Sequence, residues 1–141
     1  MNRIILMGIF ALFMSAGCNA QSSDEKAIKE TIIAFSKAGD KNDADKLATY
    51  LDDNYRIIMN RLFGSSDVSV MNKDTYLEKI KTKEYGGDNR KVEIETIVLN
   101  GSNASAKVSF IGSKMTFIST IILIKDEKNG WQLVSDVPVV K

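Results

Sequence analysis

From Lys91 to Val140 the chain is an almost unbroken succession of period-two segments, and this run constrains the fold more than any other feature. Lys91 to Leu99 is rich in Val, Ile and Thr. Asn100-Gly101 then supplies a strong type I′ hairpin signal, after which Ala104, Ala106, Val108 and Phe110 alternate with Ser105, Lys107, Ser109 and Ile111. Met115 to Lys125 is the longest segment, and a turn at Lys128-Asn129-Gly130 leads into Trp131 to Val140, with Pro138 near its end where a missing donor costs least. Four consecutive antiparallel strands are expected. The Met115–Lys125 strand is apolar on both faces, with Phe117, Ser119, Ile121 and Leu123 on one and Ile118, Thr120, Ile122 and Ile124 on the other. Both sides of the sheet therefore need a cover.

The first half supplies one cover. Ser22 and Glu25 have capping-box spacing, and Ile28, Thr31, Ile32, Phe35 and Ala38 recur at intervals of three and four until Gly39, which predicts a first helix. Asn42 or Asp43 caps a short second helix striped by Ala44, Leu47, Ala48 and Leu51, and Asp52-Asp53-Asn54 ends it. Tyr55 to Phe63 switches to strand period, Gly64-Ser65-Ser66-Asp67 breaks it, and Asn72 with Asp74 opens a third helix whose Tyr76, Leu77 and Ile80 point inward. Lys79, Lys81 and Lys83 complement that helix's carbonyl end. The order of elements means an α+β domain with helices against one face of a curved sheet.

Residues 1–17 read as a signal peptide: an eleven-residue apolar run from Ile4 to Met14, shorter than a membrane span, precedes Ser15, Ala16 and Gly17. Residues 18–23 are expected to form a short tether and 24–141 a single domain. Ser-Ala-Gly-Cys resembles a bacterial lipobox, with Ser15 where leucine is usual, making Cys18 the lipidated first residue; cleavage after Ala20 is the alternative. The chain is thus expected to be exported and anchored to the membrane of a bacterial cell envelope through a lipid on Cys18, or else to be a soluble periplasmic or secreted protein. As the only cysteine, Cys18 can make no disulfide within the chain.

Composition then removes chemistry. With no histidine, Ser-His-Asp and Cys-His nucleophile systems and histidine-ligated metals are closed to a single chain. Nineteen basic residues against 18 acidic ones leave no surplus charge for nucleic acid, so that partner is not expected. Asp40, Asp43 and Asp45 lack the glycine and terminal glutamate of a calcium loop, and neither metal nor cofactor is expected.

Several segments in this order carry a resemblance. Glu25-Lys-Ala-Ile-Lys-Glu-Thr-Ile, Gly39-Asp-Lys-Asn-Asp-Ala-Asp-Lys-Leu, Leu51-Asp-Asp-Asn-Tyr and Asn129-Gly-Trp-Gln-Leu-Val together resemble the nuclear transport factor 2-like superfamily over about residues 24 to 138, closest to its small exported bacterial branch labelled putative lumazine-binding. The resemblance implies a cone-shaped, curved antiparallel sheet with the three helices on its concave face, a mouth between helices and sheet, and dimers formed through the sheet. It also implies that enzymatic members place a general base, usually Asp or His, on strands facing the cone. The first strand here offers Arg56, Asn60 and Arg61 without an acid, and the last strand offers Asp136 alone.

Tyr50, Tyr55, Tyr76 and Trp131 sit at element ends, where rings can stack on a planar ligand; Ser119 interrupts an apolar strand face, and Asn60 and Asp136 add polar contacts. These seven residues form the expected ligand site. The leading expectation is a non-catalytic domain that binds a small apolar or planar molecule in the cone. An acid/base enzyme of the isomerase, dehydratase or cyclase type using Asp136 is one alternative, and a dimerising interaction module with a filled cone is the other.

Overall fold

The computed structural model describes residues 16–141. Helix α1 runs Ala16–Asp40 and the short α2 Ala44–Ala48; strand β1 follows at Leu51–Asn60 and β2 at Val68–Asn72, then α3 at Lys73–Lys81. The remainder is the expected meander, β3 Lys91–Asn100, β4 Asn103–Ile111, β5 Thr116–Asp126 and β6 Gly130–Val140. Residues 1–15, most of the expected signal peptide, lie outside the described residues. Because α1 is already helical at Ala16, no helix begins at Ser22, and residues 18–23 continue α1. Two caps stand where the residue types place them: the Asp43 carboxylate accepts from the Lys46 amide at 3.0 Å, and the Asn72 side chain accepts from the Thr75 amide at 2.9 Å.

The six strands form one sheet in the order β2-β1-β6-β5-β4-β3. The expectation of a purely antiparallel sheet needs correcting, because β1 and β6 run parallel, with Ile57 opposite Asp136, and the sheet is mixed. A four-strand meander leaves only its outer strands, β3 and β6, open to pairing, and β1 adds to β6. The five-residue β2, with Met71 opposite Ile57, was not expected from the sequence; its Val68-Ser69-Val70-Met71 alternation is the signal that marks it. Register shifts bend the sheet: Glu95 of β3 is the extra residue opposite the Lys107/Val108 step of β4, Val134 of β6 is the one opposite the Ile122/Leu123 step of β5, and β1 slips against β6 between Leu51 and Arg56; such bulges increase local twist.

The concave face holds the core. Ile28, Ile32 and Phe35 from α1, Leu47 from α2 and Ile80 from α3 bury against Val108, Phe110, Ile121 and Leu123. Phe35 meets Phe110 edge-to-face with ring centroids 6.1 Å apart. At one end of the sheet, Asp24 of α1 accepts from Lys125 Nζ at 2.7 Å and from the Trp131 indole at 3.1 Å, fixing the helix to the β5–β6 hairpin. Burying apolar area closes that end. The other end is open.

Candidate functional site

Between the helices and the open end of the sheet lies a cavity of about 550 Å3, within the size range of small-molecule sites. Strand parity decides which side chains reach it. Ile57 and Met59 of β1, Phe110 of β4, Phe117 and Ser119 of β5, and Asp136 and Pro138 of β6 all project to the concave side. Phe35, Tyr76 and Ile80 complete the wall from the helices. The exposed rim carries Leu62 and Phe63, Glu84 to Asp88, and Ser113 to Met115.

The rim is braced on two sides. Asn42, in the left-handed region at φ 54, donates its amide to the carbonyls of Ile80 at 2.9 Å and Tyr85 at 2.6 Å. Asp88 accepts from the Asn89 amide at 2.8 Å and from the Ser113 amide and hydroxyl, each at 3.0 Å, and these hydrogen bonds, the Asn89 one foremost, hold its carboxyl below the usual range. Gly86 packs so closely on the Gly39 carbonyl that a Cβ would lie 2.2 Å from that oxygen, and its φ of +79° also selects glycine.

Within the cavity, Arg90 is committed to protein partners. Its Nε pairs with Asp40 Oδ1, its amide donates to Asp40 Oδ2 at 2.9 Å, its Nη2 donates to the Ser36 carbonyl at 3.0 Å, and the guanidinium lies over the Phe110 ring. Asp136 is 8% exposed, and its Oδ1 has no hydrogen-bond partner. Burial raises its pKa to about 6, against the smaller opposing pulls of the Ser119 hydroxyl beside it and of Arg90. The Tyr55 hydroxyl is also buried without a partner, and its ring stands 5.7 Å from that of Tyr76. Burial is the main cause that pushes both phenols up, and nearby Asp136 adds to it, so both are neutral donors at physiological pH. The arrangement is a largely apolar wall around one acceptor carboxylate and the phenolic donor of Tyr76, with Tyr55 buried behind it.

Of the residues singled out in the sequence, Tyr76, Ser119 and Asp136 line this cavity and Tyr55 sits buried behind Tyr76. The other three do not reach it. Asn60 shares the convex face with Arg56 and Ile58, exposed, its side chain accepting from Arg61. Tyr50 packs beside α2 with Lys46 over its ring. Trp131 is five residues from Asp136 along β6, roughly 16 Å at strand rise, at the closed end beside Asp24. A residue at an element end can belong to either end of the cone, and sequence alone does not say which. The sequence gives no sign of the pairing of Arg90 with Asp40, because the two lie fifty residues apart and each reads as an ordinary surface charge, Asp40 as part of a discounted calcium loop.

A six-stranded curved sheet wrapped on three helices, open at one end over an internal cavity, defines a nuclear transport factor 2-like domain. The chain belongs to the family described as "Putative lumazine-binding", whose model matches residues 23–137. Among solved structures it is similar to an NTF2-like protein of unknown function from Silicibacter pomeroyi, at TM-score 0.75 and 15% identity over 86% of this chain and 98% of that one. An NTF2-like protein of unknown function from Shewanella baltica aligns at TM-score 0.73 and 18% identity, over 85% and 95% of the two chains. A protein described as a putative scytalone dehydratase, from Novosphingobium aromaticivorans, aligns at TM-score 0.70 and 13% identity over 88% of each. No curated protein matches the chain significantly. At these identities the solved structures share the fold.

Proposed function

We propose that the domain binds a small, largely apolar and planar molecule in its cavity. The observation that carries this reading is the unpaired oxygen of Asp136, which lines, with Ser119 and Tyr76, a largely apolar cavity of about 550 Å3 whose one inner cation among the described residues, Arg90, is already paired. A buried polar atom without a partner costs about 1 to 3 kcal/mol, a cost that a ligand's hydrogen bond removes. The family description names lumazine, which makes that fluorescent pteridine the first probe. Titration with lumazine is expected to give saturable quenching, and Met59→Trp, which fills the cavity from the β1 wall, is expected to weaken it at least about tenfold. Binding unaffected by Met59→Trp would place the ligand elsewhere.

A second reading is favoured by one observation, the carboxyl raised to about 6 beside neutral tyrosines, which suits a proton acceptor working near neutrality. An enzyme of this kind returns the bound molecule altered, whereas a binder returns it unchanged, and mass spectrometry of ligand recovered after incubation separates the two.

Around this site we infer an exported, lipid-anchored homodimer. The anchor rests on Ser-Ala-Gly-Cys at residues 15–18. The dimer rests on the convex face, where Val68, Val70 and Val139 are exposed and Ile118, Ile122 and Val137 half-exposed, with no helix of the described residues over them. Protein extracted from membranes is expected to have a mass beginning at an acylated Cys18 and to sediment as a dimer that Ile122→Asp disrupts. A soluble monomer beginning at Gln21 would overturn both.

A further inference from the structure

The polar groups in and around the cavity differ in what they still have to offer. Arg90 brings the one buried cation among the described residues lining it, but Asp40 and the Ser36 carbonyl already occupy its guanidinium. An anionic head group would therefore meet the Asp136 carboxylate without a free cation beside it, and like charges at close range in a poorly solvated site repel strongly. The elements packed around Asp136 otherwise present Tyr55 from β1, Tyr76 from α3 and Ser119 from β5. Asp136 can accept a hydrogen bond and Tyr76 can donate one, while Tyr55 stands behind Tyr76, outside the lining.

We propose that the cavity recognises an uncharged ring carrying a lactam or imide edge, whose N–H is received by Asp136 and whose adjacent carbonyl is received by the hydroxyl of Tyr76. This names the ligand class within the binding function proposed above and rests on that reading. A cis-amide edge sets one donor beside one acceptor, the complement of a carboxylate beside a phenol. The apolar faces of the ring then lie against Phe35, Phe110 and Phe117, while any charged substituent stays at the exposed rim near Lys114. Deep carboxylates and phosphates are excluded.

The recognition depends on pH in a defined direction. An ionised Asp136 accepts the N–H through a charge-assisted hydrogen bond, stronger than the one a protonated carboxyl makes through its carbonyl oxygen, so affinity falls as pH drops through about 6. The facing groups do not reverse this, since Tyr55 and Tyr76 stay protonated throughout and the Arg90 guanidinium is paired with Asp40.

The test compares lumazine with 1,3-dimethyllumazine, the same ring with both imide nitrogens blocked, by fluorescence titration against the wild-type domain and Asp136→Leu. Wild type is expected to bind lumazine at least tenfold more tightly than the dimethyl compound, and Asp136→Leu to reduce that ratio to within about twofold of unity. The added methyl groups burden both proteins alike, so the change in ratio reports the donor contact. If Asp136→Leu does not fold, the same ratio measured on wild type at pH 5 and pH 7.5 replaces it, with the preference expected to be larger at the higher pH. Equal binding of the two compounds to wild type, or a ratio unchanged by substitution and by pH, overturns the donor-edge inference while leaving a binding cavity. Failure of both compounds to bind overturns the planar-ligand reading and this inference with it.

Discussion

Replacing Asp40 by Ala is expected to lower the unfolding free energy by about 3 kcal/mol, measured as a fall in the urea midpoint at unchanged slope. The Asp40 and Arg90 side chains are 10% and 16% exposed, so the pair is largely removed from solvent. Removing one partner leaves the other charge uncompensated, which costs about 3 to 5 kcal/mol in buried pairs; the lower end applies here because Arg90 keeps the Ser36 carbonyl and the Phe110 ring. Asp40 also accepts from the Arg90 amide, so its loss frees the segment leading into β3 at the edge of the cavity. The pair itself is a different matter from its disruption. Asp40→Leu with Arg90→Met, which removes both charges, is expected to recover most of the loss. A double variant as unstable as Asp40→Ala would show that the contribution is packing rather than charge.

Asp136→Asn is expected to act in the opposite direction, raising stability at pH 7 by about 3 kcal/mol. An ordinary aspartate ionises near 3.8, whereas burial holds Asp136 near 6, a difference of about two pH units. Below pH 4 the carboxyl is protonated in both folded and unfolded chains and costs nothing. Between about pH 4 and 6 the unfolded chain releases the proton while the folded chain retains it, so stability falls by about 1.4 kcal/mol per pH unit, and above 6 the loss stays constant. Asn removes that window. Asp24, Asp88 and Asp126 carry depressed values and contribute with the opposite sign at lower pH, but they are common to both proteins and cancel in the difference. Equal pH profiles for wild type and variant from pH 4 to 7 would mean that the carboxyl is solvated and not part of a closed site. Stability surrendered at one buried group in a cavity is the pattern expected of a residue kept for a ligand.

The helices α1 and α3, the caps at Asp43 and Asn72 and the four-strand meander were all legible in the sequence. Each is set by interactions within a few residues: apolar spacing, a side chain reaching an amide three positions on, a glycine free to take positive φ at Gly101. Period two likewise separated Ser119 and Phe117 from Ile118 and Ile122, because alternation around a strand is a local property. The absence of histidine by itself limits which nucleophile systems one chain can build. What the sequence could not determine was every relation between distant segments. The parallel pairing of β1 with β6 joins residues about eighty positions apart, and no local signal distinguishes it from an antiparallel neighbour. The same pairing puts Asp136 opposite Ile57 and beside the tyrosines. The docking of α1 on the β5–β6 hairpin through Asp24 consigns Trp131 to the closed end of the cone, although its ring and its indole donor suit a ligand site equally well. Charge told even less: Arg90 and Asp40 became a buried pair, and Asp136 an unpaired acceptor, only when folding removed water from around them, since solvation rather than residue type decides what a charged group can still offer.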